Sequence, residues 1–197
     1  MSRRRVLTPK VLFLPVFVVA LISHHAWREE GLLNLWFEVT ALTLVVIGAI
    51  GRIWVSAYIA GRKNQELVTH GPYAIVRNPL YMFSFFAFVG AGLAFESFTF
   101  AALFAALFFA THLPAILNEE RFLREKFGAK FDAYAQAVPR LIPRSWKPAC
   151  PMHLRFNTSI YSRSVLDSSL IVAMFLVAQV VEWGHLHHVL PVVFLLP

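Results

Sequence analysis

The feature that most constrains this chain is a series of apolar runs, each close to the length needed to cross a lipid bilayer. Pro9 to Trp27 is almost wholly apolar, and as a helix it would span roughly 28 Å, close to the hydrocarbon thickness. Leu32 to Ile59 would span roughly 42 Å, so one end must leave the bilayer. We expect it to emerge near Arg52. These runs predict an all-α membrane protein.

Three further runs bring the expected number of transmembrane helices to about five. They cover Pro79 to about Phe95, Phe98 to about Leu117, and Val165 to Trp183. Pro79 suits the first turn of a helix, and Glu96–Ser97 is a tight turn, which predicts a helical hairpin between the third and fourth spans. The tail, Gly184 to Pro197, is too short to cross comfortably, and we interpret it as interfacial.

A charged stretch follows the fourth span. Between Glu119 and Ala137, apolar side chains recur at helical spacing, namely Phe122, Leu123, Phe127, Phe131 and Tyr134. This spacing predicts an amphipathic helix that lies along the membrane surface.

Composition and charge narrow the class. Only 15% of residues are charged, whereas soluble domains have about a quarter. The net charge of +7 would suit a nucleic-acid partner, but the basic residues fall between apolar segments rather than on one soluble face, and we expect no such partner. With the N-terminus inside, every Lys and Arg except Arg28 falls on the cytosolic side. The positive-inside rule therefore predicts a multi-pass protein with a cytosolic N-terminus.

Cysteine and histidine usage argue against metal and disulfide chemistry. The single cysteine, Cys150, excludes an internal disulfide or a Cys-based zinc site. His185, His187 and His188 are too closely spaced to share one helix face, so we expect no metal site. Nothing at the N-terminus resembles a cleavable signal peptide.

The predicted cytosolic side brings three polar groups together with aromatic residues. They are Gln65 to Tyr73, Arg77 to Tyr81, and Asn118 to Glu120. A helix that begins at Pro79 offers unpaired N–H groups that suit an anion, and a carboxylate at Glu119 or Glu120 can bind hydroxyls or amines. The alternative is purely structural, because Gly-Pro and Asn-Pro are common turns and Arg77 can snorkel to lipid headgroups.

These groups also carry a family resemblance. His70-Gly71-Pro72-Tyr73 and Val76-Arg77-Asn78-Pro79-Leu80-Tyr81 resemble the signature of the isoprenylcysteine carboxyl methyltransferase and phospholipid methyltransferase superfamily. Glu119-Glu120-Arg121-Phe122-Leu123, Phe127-Gly128, Tyr134 and Val138 to Pro143 resemble its second block. The two blocks stand in the right order, separated by one hairpin, over roughly Gln65 to Pro143.

The resemblance implies a membrane methyltransferase that uses S-adenosylmethionine, bound in a cytosolic pocket, to methylate a lipophilic acceptor among membrane lipids. The residues that it implies for the cofactor are Gln65, Glu66, Leu67, Val68, His70, Tyr73, Asn78, Pro79, Tyr81 and Glu119. Arg77 and Glu119 are the predicted catalytic residues. Residues 1–60 would form two N-terminal transmembrane helices, 61–147 the methyltransferase core, and 148–197 an extension with the fifth helix.

The sequence departs from the family pattern at two positions. Asn78 replaces a commoner His and cannot titrate, so we assign it no acid–base role. By the same resemblance, relatives that methylate a carboxylate look to carry an Arg four residues before the glutamate that aligns with Glu119. In this chain that position is Ala115. An anionic substrate therefore lacks its expected partner, unless His112, our substrate-site candidate, replaces it. Amine, thiol and other lipid acceptors stay open.

Two other interpretations remain. Membrane NADPH-dependent reductases of the steroid 5α-reductase type have a similar block around Tyr73 and Tyr81, but Glu119–Glu120 followed by Val138-Pro139-Arg140 resembles the methyltransferase version. A non-enzymatic membrane scaffold is the third possibility. The sequence identifies neither the acceptor nor the oligomeric state.

Overall fold

The protein is all-α, as predicted, apart from one short pair of strands. The computed structural model describes residues 19, 22–25, 31–63, 65–148, 150, 154 and 156–196. The elements in chain order are β1 (Ser23–His25), α1 (Leu32–Ile59), α2 (Pro79–Leu93), α3 (Phe98–Phe127), α4 (Ala129–Ala137), α5 (Thr158–Leu186) and β2 (Phe194–Leu196). The two strands pair in parallel, with Ser23 opposite Phe194.

Three of the helices are long and apolar enough to cross a membrane, namely α1, α3 and α5. Helix α2 is apolar but has only 15 residues, which span roughly 22 Å. Most of the predicted first span, 9–27, lies outside the described residues, so the number of five spans stays a prediction. Residues 23–25 of that range form a strand rather than helix.

The predicted surface helix over 119–137 was wrong as a single element. Helix α3 continues past Leu117 to Phe127, because no proline or glycine after Pro114 interrupts it. Gly128, with φ of 51°, ends this helix and precedes α4. Phe122 is exposed whereas Phe131 is buried. The apolar side chains therefore do not form one continuous face.

Contacts within the chain define two compact units. The first comprises Met1–Val45, Phe88–Thr111 and Val172–Pro197. Within it, the turn between α2 and α3 closes over a small core of Ala91, Phe100 and Phe104. The predicted turn at Glu96–Ser97 is present there, and Glu96 has a φ of 49°.

The second unit comprises Val46–Ala87 and His112–Ile171. Helices α1 and α2 approach closely in this unit, because Gly48 and Gly51 of α1 have no side chains. A Cβ added to Gly51 would lie 2.1 Å from the Phe83 ring, and one added to Gly48 would lie 2.7 Å from Ala87. The chain between α1 and α2 packs on the same core through Ile75 and Val76. This packing anchors the segment that contains the first sequence block.

Gly71 and Gly128 have similar backbone angles but different surroundings. Substituting each by alanine therefore distinguishes the free-energy cost of backbone strain from that of a steric clash. Gly71 has φ 62° and ψ −133°, and Gly128 has φ 51° and ψ −129°. A Cβ on Gly71 would lie 2.1 Å from the Tyr58 ring, whereas one on Gly128 would meet nothing within 4 Å. Gly128→Ala should lower the free energy of unfolding by about 1–3 kcal/mol, and Gly71→Ala by roughly a further 1–3 kcal/mol.

Thermal unfolding in detergent, followed by tryptophan fluorescence, measures both variants. Equal decreases in melting temperature for Gly71→Ala and Gly128→Ala would contradict the predicted contact with Tyr58.

Candidate active site

The two sequence blocks meet through their backbones. The Arg77 amide donates to the Pro139 carbonyl over 2.8 Å, and the Asn78 amide donates to the Arg140 carbonyl over 3.1 Å. Residue 78 precedes Pro79, which disfavours helical geometry there, so the chain is extended enough to pair with the segment after α4. The pairing fixes where α2 begins.

A buried carboxylate holds the same two segments together. Glu120, whose side chain is 5% exposed, lies 2.8 Å from Arg140 Nη2 and 3.2 Å from Arg77 Nε. Asn78 Nδ2 donates to Glu120 Oε1 over 2.8 Å. A buried charge is tolerated only when it is paired and hydrogen-bonded, and these three donors meet that requirement.

The contacts of Arg77 favour a positioning role. Its guanidinium binds Glu120 and also donates to the carbonyl groups of Ala135 and Val138, the latter over 2.8 Å. Its side chain is only 12% exposed. These contacts use the hydrogen-bond donors of the guanidinium. Arg77 therefore orients the start of α2 relative to α4. A direct catalytic role for Arg77 stays a prediction.

The neighbouring carboxylate, Glu119, has a different environment. Tyr81 donates to Glu119 Oε2 over 3.3 Å, and Lys63 Nζ lies 3.2 Å from Glu119 Oε1. The Glu119 side chain is 27% exposed. The ring of His112 packs edge-on against Tyr81, with centroids 5.8 Å apart. The predicted residues Tyr81, Glu119 and His112 thus lie together, with Lys63 as an additional neighbour.

The first block begins with a segment that follows Lys63 in the chain. Within the described residues, the backbone amides of Leu67 and Val68 donate to no other backbone group, although Val68 is buried. Gln65 and Glu66 are exposed, and Glu66 forms an ion pair with Arg62 at 3.1 Å.

Two aromatic contacts hold the end of this segment. The His70 ring lies 5.9 Å from the ring of Tyr58, and Tyr134 donates to the Tyr73 carbonyl over 2.7 Å. Burial, reinforced by the Glu119 carboxylate, raises the pKa of the Tyr73 phenol above its ordinary value. Burial also raises the pKa of Tyr134. Both phenols therefore stay protonated at neutral pH and can donate hydrogen bonds.

Sequence reasoning did not assign Arg140, Lys63 or Tyr134 to the site, and it considered Glu120 only as a second binding carboxylate beside Glu119. Arg140 stood inside a quoted motif that pointed to no role for it, and nothing in the sequence predicted that Glu120 would be buried among structural partners. Lys63 had no signal, since a lysine in a polar connection is ordinarily a solvated charge. Across the part of the chain that the structure describes, no three His, Cys, Asp or Glu side chains are grouped to hold a metal ion.

Similarity to known proteins defines the class. The family described as phospholipid methyltransferase matches residues 31–130. Protein-S-isoprenylcysteine O-methyltransferase of Schizosaccharomyces pombe is 32% identical over 45% of this chain and 38% of its own length. The B form of that enzyme in Arabidopsis thaliana is 31% identical over 55% of this chain and 60% of its own length. No solved structure matches at a significant level.

Two bacterial proteins match nearly the whole chain. Nickel-cobalt-cadmium resistance protein NccN of Alcaligenes xylosoxydans xylosoxydans is 32% identical over 100% of this chain and 92% of its own length. Cobalt-zinc-cadmium resistance protein CzcN of Cupriavidus metallidurans is 31% identical over 94% of this chain and 85% of its own length.

The apolar helices and the two paired blocks are those of an integral membrane protein of the methyltransferase class. The chain belongs to the phospholipid methyltransferase family.

Removing the charge of Glu120 should weaken the fold more than removing an exposed charge on the same helix. Glu120→Gln leaves Arg77 and Arg140 without their buried counter-ion, and we expect a loss of roughly 3 kcal/mol in the free energy of unfolding. Glu125→Gln, at an exposed position of α3, is the control and should change it by less than about 0.5 kcal/mol. Thermal unfolding in detergent compares the two, and equal melting temperatures would refute a stabilising ion cluster.

Proposed function

We propose that this protein transfers a methyl group from S-adenosylmethionine to a lipophilic, membrane-resident acceptor. The observation that carries the proposal is the hydrogen bond between Tyr81, from the first block, and Glu119, from the second. Family membership supplies the reaction class, and this contact joins the two blocks from which the resemblance builds a cofactor pocket.

The polar groups around Glu119 suit the cofactor. A partly exposed carboxylate accepts hydrogen bonds from ribose hydroxyls. The amides of Leu67 and Val68, which donate to no backbone group among the described residues, are available to an adenine ring or a carboxylate. Lys63, whose side chain is 56% exposed, forms an ion pair with Glu119. We propose Gln65, Glu66, His70, Asn78 and Pro79 as the surrounding wall.

The residues of the site contribute orientation rather than covalent chemistry. The sulfonium of the bound cofactor supplies an already activated methyl group. Tyr73 and Tyr81 offer ring faces that attract a cation, and the cluster at Glu120 fixes the helix that carries Tyr81. Most of the rate enhancement would arise from holding the acceptor atom in line with the methyl group.

The orientation follows from charge. With residues 61–147 as the core, the positive-inside bias favours a cytosolic site and N-terminus. A water-soluble cofactor then enters from the cytosol, and a lipophilic acceptor enters from the bilayer.

Binding of S-adenosylhomocysteine tests the proposal without knowledge of the acceptor. Isothermal titration of the full chain in detergent should show binding, and Glu119→Gln should weaken it by about tenfold or more, because a charged hydrogen-bond acceptor is lost. Glu125→Gln is the matched control on the same helix and should bind like the wild type.

Absence of binding to the folded wild-type protein would refute the proposal. If the same protein bound NADPH instead, the result would favour a reductase of the steroid 5α-reductase type. Binding of neither ligand would favour a scaffold.

A second candidate role is favoured by the similarity to NccN and CzcN, which extends over 94% or more of this chain. We propose that methyl transfer by this protein contributes to bacterial resistance to nickel, cobalt or cadmium. These relatives are named for metal resistance, and this chain belongs to the phospholipid methyltransferase family, so we propose that resistance depends on modification of a membrane component.

Growth of a metal-sensitive bacterial strain tests this role. Expression of the wild-type chain should raise the nickel, cobalt or cadmium concentration that permits growth, and Glu119→Gln should abolish the gain. If Glu119→Gln protected the cells as well as the wild type at equal expression, resistance would not require methyl transfer. That result would support a non-enzymatic role.

A further inference from the structure

A basic stretch that the proposed chemistry does not use follows α4. Between Asp132 and Asp167 the chain contains no aspartate or glutamate. Within this stretch, residues 141–148, here called the basic segment, form neither helix nor strand. Arg144 and Lys147 of this segment are exposed, and neither forms an ion pair with an acidic residue in the part of the chain that the structure describes. Their charges are therefore available to an anionic partner.

The basic segment also exposes two large apolar side chains. Ile142 is 82% exposed and Trp146 is 60% exposed. Exposure of so much apolar surface to water is unfavourable, whereas tryptophan is enriched at the membrane–water interface, because its ring is apolar and its N–H group is polar. Apolar and basic side chains on one short segment are the combination that binds anionic membranes.

Backbone pairing fixes the level at which the basic segment leaves the protein. The carbonyl groups of residues 139–140 accept hydrogen bonds of 2.8 and 3.1 Å from the amides of residues 77–78, and α2 begins at Pro79. Leu141 packs against the core that includes Val76. Because α2 is apolar, the level where it begins is the headgroup region of one leaflet. The basic segment therefore starts at the surface of the bilayer.

We propose that the basic segment binds the anionic phospholipid headgroups of this leaflet. Arg144 and Lys147 bind the phosphate groups, which both a guanidinium and an ammonium recognise. Ile142 and Trp146 insert among the upper parts of the acyl chains. A lipid with a net negative charge is favoured over a zwitterionic lipid, because the segment carries positive charge without acidic residues to balance it.

Other basic residues of the same unit are less suited to this role. Arg124 pairs with Asp132 at 2.8 Å, and Lys126 is adjacent in the chain to Glu125. Lys126 also lies roughly 14 Å further along α3 than Leu117, where the predicted apolar run ends. This distance exceeds the screening length of about 8–10 Å at physiological ionic strength. Charges near the end of α3 therefore serve as controls for a general effect of charge.

Lipid binding by the basic segment would hold the candidate active site at the membrane surface. Arg140, which immediately precedes the segment, lies 2.8 Å from the buried Glu120 carboxylate. The lipid contact and the buried ion cluster are thus adjacent in the chain. Anchoring there keeps the site at the level where a water-soluble molecule and a lipophilic molecule can meet.

Lipid selectivity tests the charged part of this surface. The full-length protein in detergent is titrated with phosphatidylglycerol or with phosphatidylcholine of the same acyl chains, and bound lipids are counted by native mass spectrometry. The wild type should bind the first phosphatidylglycerol about tenfold or more tightly than phosphatidylcholine, because each basic residue near an anionic headgroup contributes about fivefold. Arg144→Gln combined with Lys147→Gln should reduce this preference to about twofold or less.

A second double variant is the matched control. Lys126→Gln combined with Lys130→Gln removes the same charge from exposed positions and should keep the preference for phosphatidylglycerol. Equal losses of preference in both double variants would show only a general effect of charge. An unchanged preference in the variant of Arg144 and Lys147 would place the lipid elsewhere. Either result would overturn the inference.

Tryptophan fluorescence tests the apolar part of this surface. In nanodiscs that contain phosphatidylglycerol, the emission of Trp146 is the difference between the wild type and Trp146→Phe. It should be quenched by lipids brominated in the acyl chains and protected from acrylamide, because the ring lies below the headgroups. Quenching by acrylamide alone would place the ring in water, as in a surface that binds RNA or an acidic protein, and would overturn the inference.

These measurements are independent of the proposed methyl transfer, because they use no cofactor and no acceptor. A failure of the wild type to bind S-adenosylhomocysteine would refute the proposed function and leave the lipid preference unchanged. Loss of the lipid inference would likewise leave the proposed function intact.

Discussion

The site depends on one buried carboxylate. Glu120 carries a negative charge away from water, and such a charge is stable only if donors replace the lost hydration. Arg77, Asn78 and Arg140 provide these donors from two segments that are far apart in the sequence. Satisfying Glu120 therefore requires both segments to be in place, which couples the start of α2 to the end of α4. The position of Tyr81 follows from that coupling.

Two adjacent glutamates consequently have separate roles. Successive residues of a helix point roughly 100° apart, so Glu119 and Glu120 cannot enter the same environment. Glu120 is enclosed by permanent protein partners, whereas Glu119 is partly exposed and bonded to Tyr81 and Lys63. Lys63 is a long, exposed side chain that can move aside at little cost, which leaves Glu119 able to exchange partners. This difference makes Glu119 the better binding residue and Glu120 the better structural one.

Much of the fold was readable from the sequence because the lipid environment imposes strong length rules. The bounds predicted for the second span, Leu32 to Ile59, agree with α1. Failures arose where local pattern was insufficient: periodicity after Leu117 could not show whether the preceding helix had ended, and α3 continues to Phe127. The same limit applied to the site, since Glu119 and Glu120 are equivalent in composition and only tertiary contacts distinguish them. The contact between Arg52 and Ser84 depends on close packing of α1 and α2 at Gly51. No sequence motif predicted this contact.

Recognition of donor and acceptor need not involve the same residues. The cluster around Glu120 is filled by its own partners, so it cannot choose between acceptors. A lipophilic molecule approaches through the bilayer and meets the apolar helices α1 and α2 before it meets the loops. A residue that selects acceptors should therefore lie on those helices, be charged or polar, and be close to Tyr81. Under the proposed function, acceptor selection and cofactor binding would therefore depend on different parts of the chain: the apolar helices for the acceptor, and the two sequence blocks for the cofactor.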